Sequence, residues 1–202
     1  MEDRAGTIFI VDDDERIVRA LQRLLKLSGY QVTPFADARS LLGSPDLPAA
    51  DCIVLDLGLP DTDGLSVQEA LAAMDGHPSV VFLSGCADVP SSVKAMKAGA
   101  VDFLVKPVEE NALLAAIEAG VCRTSREREA GQQRALVHAR LGSLTARETE
   151  VMQHVVAGRL NKQIAGDLGT VEKTIKVHRA RMMAKMGVRT VADLVRLVEH
   201  AR

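Results

Sequence analysis

Five short apolar runs in the first 106 residues most constrain what this chain can fold into, because stretches with helical spacing separate them. In the first such stretch Ile17, Leu21, Leu24 and Leu25 recur every three or four positions. Strands that alternate with helices pair in parallel, since each parallel connection needs a crossover. The sequence therefore predicts an α/β domain whose five-stranded parallel sheet is covered on both faces. The predicted strands are Thr7–Val11, Gln31–Phe35, Cys52–Asp56, Val80–Ser84 and Asp102–Lys106.

Polar side chains follow or end four of these strands, at the sheet edge where α/β proteins bind ligands. Asp12 and Asp13 follow the first strand, and Asp56 ends the third. Ser84 ends the fourth strand and Lys106 ends the fifth. Crowded carboxylates suit Mg²⁺, a hydroxyl can donate to a phosphoryl oxygen, and an ammonium can pair with an anion. This set predicts phosphoryl transfer onto a carboxylate, with catalysis by positioning and charge neutralisation.

Each of these features also has a purely structural interpretation. The run Asp12–Asp14 could cap the following helix, where carboxylates are favourable. Lys106 could be an ordinary exposed lysine, and Ser84–Gly85 an ordinary turn. The common position of the residues at strand ends favours the functional interpretation.

The segments FIVDDDER, VLDLGLPDTDG and FLSGCADVPSSVKAMKAGAVDFLVKPV, with their spacing, resemble a response-regulator receiver domain of the FixJ type, within the NarL/LuxR group. The resemblance covers residues 7–120 and implies a flavodoxin-like receiver fold. It implies that Asp56 is the phosphoacceptor and that Asp12, Asp13, Asp56 and the carbonyl of Gly58 hold the metal. The further implied roles are a switch hydroxyl, a phosphate-pairing lysine and a switch aromatic, carried by Ser84, Lys106 and Phe103.

Two departures from the family pattern flank the implied phosphate. Gly58 stands where the family often has a long side chain, and Cys86 and Ala87 replace a His-Gly pair. We expect Gly58 to leave a phosphoryl group on Asp56 more open to water.

Charge divides the chain into two unlike parts. Residues 1–120 hold 19 acidic and 9 basic side chains, whereas residues 121–202 hold 8 acidic and 16 basic ones. An acidic part joined to a basic part indicates two domains with different partners. We predict a receiver domain over residues 1–121, a helical linker over 122–142 and an all-α DNA-binding domain over 143–202. A solvated charged spacer and a helix that pairs two protomers are alternatives for the linker.

The basic part begins with helix-start signals. Thr145 with Glu148 forms a predicted capping box, Asn161 is a predicted N-cap, and Thr190 with Asp193 is a further capping pair. Two short helices and a glycine turn, followed by a basic helix, predict a helix-turn-helix.

The basic helix has an apolar side and a cationic side. Ile175, His178, Met182 and Met186 recur at helical spacing and are expected to face the core. The slim, cationic remainder suits a DNA major groove, although a solvated basic face is the alternative. The predicted DNA-binding residues are Lys162, Lys173, Thr174, Lys176, Val177, Arg179, Arg181 and Lys185.

The stretch LTARETEVMQHVVAGRLNKQIAGDLGTVEKTIKVHRARMMAKMGVRTVADLV strongly resembles the LuxR-type helix-turn-helix over residues 143–200. The resemblance implies a recognition helix from about Val171 and a last helix that pairs dimers. Val171 stands where the family usually has a capping serine, so either Thr170 caps the helix or the cap is weakened.

We therefore predict a two-component response regulator and transcription factor, and not an enzyme. The expected partners are a sensor histidine kinase, double-stranded promoter DNA and a second copy of the chain when phosphorylated, with Mg²⁺ as cofactor and RNA polymerase as a further candidate. No apolar run approaches a membrane span, no signal-peptide pattern is visible, and the three cysteines are scattered. A cytoplasmic location is expected.

Two rival functions are considered. An aspartyl-phosphate hydrolase of the haloacid-dehalogenase kind needs a second aspartate two residues after the nucleophile, where this chain has Gly58. A DNA-binding regulator that does not depend on phosphate leaves the acidic, hydroxyl and lysine set without a purpose.

Overall fold

The structure is a computed structural model and describes residues 6–74, 76–85 and 89–199. The chain divides into two compact units between Arg128 and Glu129. Cys86 and Ala87, together with residues 200–202 of the predicted DNA-binding domain, lie outside the described residues. No described helix is both long and apolar enough to cross a membrane.

The first unit contains the predicted five-stranded parallel sheet, in the order β2-β1-β3-β4-β5. The fold-class prediction is confirmed, and β5 ends one residue before Lys106. The strands are β1 Thr7–Val11, β2 Gln31–Phe35, β3 Cys52–Asp56, β4 Ser79–Ser84 and β5 Asp102–Val105. The helices that begin in this unit are α1 Glu15–Leu27, α2 Ala38–Leu42, α3 Gly64–Ala72, α4 Val89–Lys97 and α5 Glu110–Gly142.

The two faces of the sheet bury separate apolar clusters, because successive side chains of a strand point to opposite faces. Phe9, Ile53 and Phe82 belong to the cluster that packs with α2, α3 and α4. Ile8 and Val54 belong to the cluster that packs with α1 and α5. Burial on both faces explains why the central strands read as continuous apolar runs.

Helix α5 runs without interruption over Glu110–Gly142, so the predicted linker 122–142 is helical throughout. Its residues up to Arg128 belong to the first unit. The fully buried Thr124 hydroxyl donates to Ser79 Oγ at 2.9 Å. Arg128 donates to Asp51 at 2.8 Å. These contacts show that the first part of the segment is tied to the sheet rather than being a free spacer.

The second unit is all-α and contains the predicted helices. They are α6 Ala146–Val156, α7 Asn161–Asp167, α8 Glu172–Met186 and α9 Val191–Glu199. Thr145 and Glu148 form the predicted capping box, and the Asp193 N–H donates to Thr190 Oγ1 at 3.1 Å. The Asn161 cap is wrong, because Asn161 is the first residue of α7 and its side chain instead accepts from Arg179 at 2.9 Å.

Candidate metal centre and nucleic-acid interface

Three aspartates meet at the carboxyl edge of the sheet. Asp12 follows β1 and Asp56 ends β3, and since these strands are neighbours their ends lie side by side. One carboxylate oxygen from each of Asp12, Asp13 and Asp56 lies within 4.8 Å of the others. Asp12 and Asp56 are buried, whereas Asp13 is exposed. The predicted acidic cluster is therefore present, with one side open to solvent.

Lys106 joins the two buried carboxylates. Its Nζ donates to Asp12 Oδ2 at 2.6 Å and to Asp56 Oδ1 at 2.9 Å. Burial lowers the pKa of this ammonium, but the two carboxylates outweigh that effect and raise the pKa above its usual value. The backbone N–H of Lys106 donates to the Ser84 carbonyl at 2.7 Å, which fixes the lysine beside the end of β4. The Lys106 ammonium therefore places a positive charge against the two buried carboxylates.

The third member of the acidic run has a different role. Asp14 is the N-cap of α1 and accepts from the Arg16 N–H at 2.9 Å. Hydrogen bonds from the Arg16 side chain, and then from its backbone, lower the pKa of Asp14 to about 2. The capping interpretation is thus correct for Asp14, while Asp12 and Asp13 join the cluster.

Gly64 is a site residue whose role the sequence analysis missed. A Cβ added there would lie 2.7 Å from the backbone oxygen of Asp56 and 3.1 Å from the ring of Phe82. Only glycine lets α3 begin this close to the end of β3. The PDTDG segment contains turn-forming residues, but nothing in it indicates this close approach.

Gly58 is exposed and pairs through its backbone with Asp63. A Cβ at Gly58 would lie 3.9 Å from Asp56 Oδ2. A longer side chain at this position would therefore start directly beside the carboxylate.

The two predicted switch residues stand on neighbouring strands. Ser84 is buried at the end of β4. Phe103 is half-buried on β5, and its ring centroid is 6.1 Å from that of Phe82. Phe103 therefore already packs against the aromatic core beside Gly64.

Most of the predicted DNA-binding residues are exposed on the second unit. Ile175, Met182 and Met186 of α8 are buried as expected, and His178 is half-buried. The exposed predicted residues are Lys162, Lys173, Lys176, Val177, Arg181 and Lys185, while Thr174 and Arg179 are half-buried.

Lys185, a predicted contact to a DNA phosphate, also has partners within the second unit. Its Nζ donates to the buried Glu148 carboxylate at 2.6 Å and to the Ser143 carbonyl at 3.0 Å. The hydrogen bond from Lys185, followed by one from the Thr145 N–H, lowers the pKa of Glu148 to about 2. Lys185 therefore also stabilises the start of α6.

The start of α8 lacks a side-chain cap. Val171 is the N-cap residue and offers no acceptor, and Thr170 does not cap the helix one residue early. Of the two alternatives drawn from the sequence, the weakened cap is the one observed.

Comparisons with known proteins assign the two parts of the chain to two different domain families. Residues 8–118 match the family described as response regulator receiver domain, and residues 142–198 match bacterial regulatory proteins of the luxR family. Response regulator protein TmoT of Ectopseudomonas mendocina is 40% identical over 202 residues, which are 100% of this chain and 92% of that protein. Transcriptional regulatory protein FixJ of Bradyrhizobium diazoefficiens is 36% identical over 196 residues, covering 97% and 96% of the two chains.

The solved structure of response regulator StyR is also similar. Its TM-score is 0.88 at 44% identity, and the match covers 96% of this chain and 98% of that one. Both domain resemblances are therefore confirmed. The chain belongs to the two-component response regulators that combine a receiver domain with a LuxR-type helix-turn-helix domain, a family of transcription regulators and not of enzymes.

Proposed function

We propose that this protein is a transcription factor switched by transfer of a phosphoryl group from a sensor histidine kinase to Asp56. The observation that carries the proposal is the Lys106 ammonium, 2.9 Å from Asp56 and 2.6 Å from Asp12. It supplies a fixed cation beside a carboxylate at an open strand end. In the transfer, an Asp56 oxygen bonds to phosphorus while the P–N bond of the donor phosphohistidine breaks, and the released imidazole takes a proton from solvent.

The acidic cluster fits a Mg²⁺ ion. Mg²⁺ binds oxygen at about 2.0–2.1 Å, so two of its ligands lie at most about 4.2 Å apart. The three aspartate oxygens lie within 4.8 Å of one another, so small movements would bring them to these distances. We assign Asp12, Asp13, Asp56 and the backbone carbonyl of Gly58 as ligands. When bound, Mg²⁺ would neutralise charge on the phosphoryl oxygens, which is the main requirement of this chemistry. The exposed side of Asp13 leaves room for water and the phosphoryl group.

Ser84, Lys106 and Phe103 are proposed to convert the added charge into a conformational change. The Ser84 hydroxyl would donate to the phosphoryl group, Lys106 would pair with it, and Phe103 would turn further inward. The change would act on α4 and β5, where Val89, Val93 and Met96 expose 69%, 44% and 45% of their surfaces. An exposed apolar surface supports pairing of two phosphorylated protomers through this face.

The second unit is proposed to read promoter DNA through α8. Lys173, Lys176, Val177 and Arg181 form the exposed part of that surface, with Thr174 and Arg179 beside them. Lys162 and Lys185 are proposed as phosphate contacts. Two copies in a dimer would reach half-sites about one DNA turn apart. The proposed domain limits are 1–121, 122–142 and 143–202. RNA polymerase is a further candidate partner, and the proposed location is the cytoplasm.

Acetyl phosphate and Mg²⁺ test the proposal on the full chain. The wild-type protein should gain the mass of one phosphoryl group and bind promoter fragments more tightly, whereas Asp56→Asn should do neither. Asp46→Asn is the matched control, since Asp46 is exposed and makes no side-chain cap bond. Equal DNA affinity of wild type and Asp56→Asn with and without acetyl phosphate would favour the phosphate-independent regulator.

A further inference from the structure

Two side chains from different helices hold the last turn of α4. The buried Gln68 on α3 donates through Nε2 to the Ala95 carbonyl at 3.1 Å. Arg123 on α5 donates through Nη1 to the carbonyl of Gly99 at 2.9 Å. The same turn closes through the Ala100 N–H, which donates to the Ala95 carbonyl at 3.0 Å. The end of α4 is therefore held from both sides.

The Arg123 contact is itself oriented. Its Nε donates to Glu127 one turn along α5, at 2.9 Å, which directs the other end of the guanidinium toward α4. Gly99, which supplies the accepting carbonyl, has a φ of 93°, a conformation that favours glycine. The contact thus combines a carbonyl in the turn that follows α4 with an acid that orients the arginine.

Gln68 shows that this position of α4 is maintained at a cost. Among the described residues that are not exposed, its Oε1 is the one buried side-chain oxygen or nitrogen without a hydrogen-bond partner. A buried acceptor without a partner destabilises the state that contains it. A displacement of α4 that lets the amide meet another donor would remove this cost.

We propose that Gln68 and Arg123 form a clasp that holds α4 in its unphosphorylated position, and that phosphorylation of Asp56 acts by releasing it. The inference rests on the proposed function, because it takes phosphorylation as the signal. A ligand can shift such an equilibrium only through a difference between two states, and the two hydrogen bonds supply that difference. Since Arg123 lies on α5, release of the clasp would also remove a hydrogen bond made by the helix that runs to Gly142.

Hydrogen–deuterium exchange of peptides that contain residues 95–101 tests the clasp in the full, unphosphorylated chain. Arg123→Ala and Gln68→Met each remove one hydrogen bond, and methionine keeps the length of the glutamine. Arg123→Ala should exchange roughly five-fold faster there than wild type, the change expected for one hydrogen bond lost from one of two states. Gln68→Met also removes the unpaired Oε1, so its exchange should rise by a smaller factor. Arg126→Ala, which removes an exposed arginine from the same helix, should match wild type. Equal exchange in all four proteins would overturn the clasp.

Acetyl phosphate with Mg²⁺ then links the clasp to the signal. Wild type that has gained a phosphoryl group should exchange faster over the same peptides, and the two clasp variants should form dimers at lower concentration without it. A phosphoryl mass gain with unchanged exchange would overturn the release step. Absence of the mass gain would instead contradict the proposed function. The exchange rates of the unphosphorylated variants would then still show whether Gln68 and Arg123 hold α4.

Discussion

Replacement of Lys106 by methionine tests whether the acidic cluster depends on a single ammonium. Lys106 Nζ lies 2.6 Å from Asp12 and 2.9 Å from Asp56, and the three side chains expose 19%, 2% and 10% of their surfaces. Methionine keeps the apolar stem but leaves both carboxylates without this cation. Asp13, within 4.8 Å of both, then adds repulsion that the ammonium no longer offsets.

The expected cost follows from the two contacts. A hydrogen bond to a charged group contributes about 1.5–3 kcal/mol, and removal of one partner of a buried ion pair costs about 3–5 kcal/mol. Partial exposure of the lysine places the expected loss near the lower limit, at about 3 kcal/mol at pH 7 without Mg²⁺. With a urea slope of about 2 kcal/mol/M, the unfolding midpoint of the first unit should fall by about 1.5 M.

Urea titration of the full chain, read by deuterium uptake of peptides from β3 and β4, reports on the first unit alone. The chain contains no tryptophan, so fluorescence is a poor substitute. Lys97→Met is the matched control, because Lys97 is an exposed lysine on α4. Millimolar Mg²⁺ should recover part of the loss, since a divalent cation replaces the missing positive charge. A Lys106→Met midpoint equal to that of Lys97→Met would refute this account of the site.

Three further predictions concern single side chains. Because its partners lower the pKa of Glu148 to about 2, its ionised form should stabilise the second unit above about pH 4.3, the ordinary glutamate value, and this gain should disappear as the pH falls toward 2. Thermal melts should therefore show the stability gap between wild type and Glu148→Gln closing over that range, and a gap that stays constant would contradict the role of Lys185. Val171→Ser should supply the missing cap of α8 and raise the free energy of unfolding of the second unit by about 1 kcal/mol in denaturant titrations, whereas no gain would show that the cap is met otherwise. Gly58→Arg should lengthen the half-life of the phosphoryl group on Asp56, followed by mass spectrometry, and an unchanged half-life would contradict shielding from this position.

Local pattern was sufficient for the elements and for much of the site. The apolar runs predicted all five strands, and parallel pairing predicted that Asp12, Asp56 and Lys106 meet at one edge, where they do. The Thr145–Glu148 capping box was readable because both partners lie within one helical turn. The capping prediction succeeds because hydrogen bonds between near neighbours depend on spacing alone, whereas the meeting of the strand ends follows from parallel pairing.

Contacts between side chains on different helices could not be predicted from the pattern. Lys185 looked like other cations of α8, but its partner Glu148 lies 37 residues earlier, on another helix. The cap predicted at Asn161 failed for a related reason, since that side chain serves Arg179 instead. In both cases the sequence gives the chemical group, and the packing of the helices determines which residue it binds.

The sequence by itself determined the succession of strands and helices along the chain, the residue types at the strand ends and the charge division between the two parts. Only the tertiary structure decided that Lys106 bridges two carboxylates, that Gly64 must lie against Asp56, and that Gln68 and Arg123 meet the end of α4. The physical reason is range. Periodicity and capping act over one or two helical turns, whereas these contacts join segments whose separation in space is set by how the helices pack on the sheet.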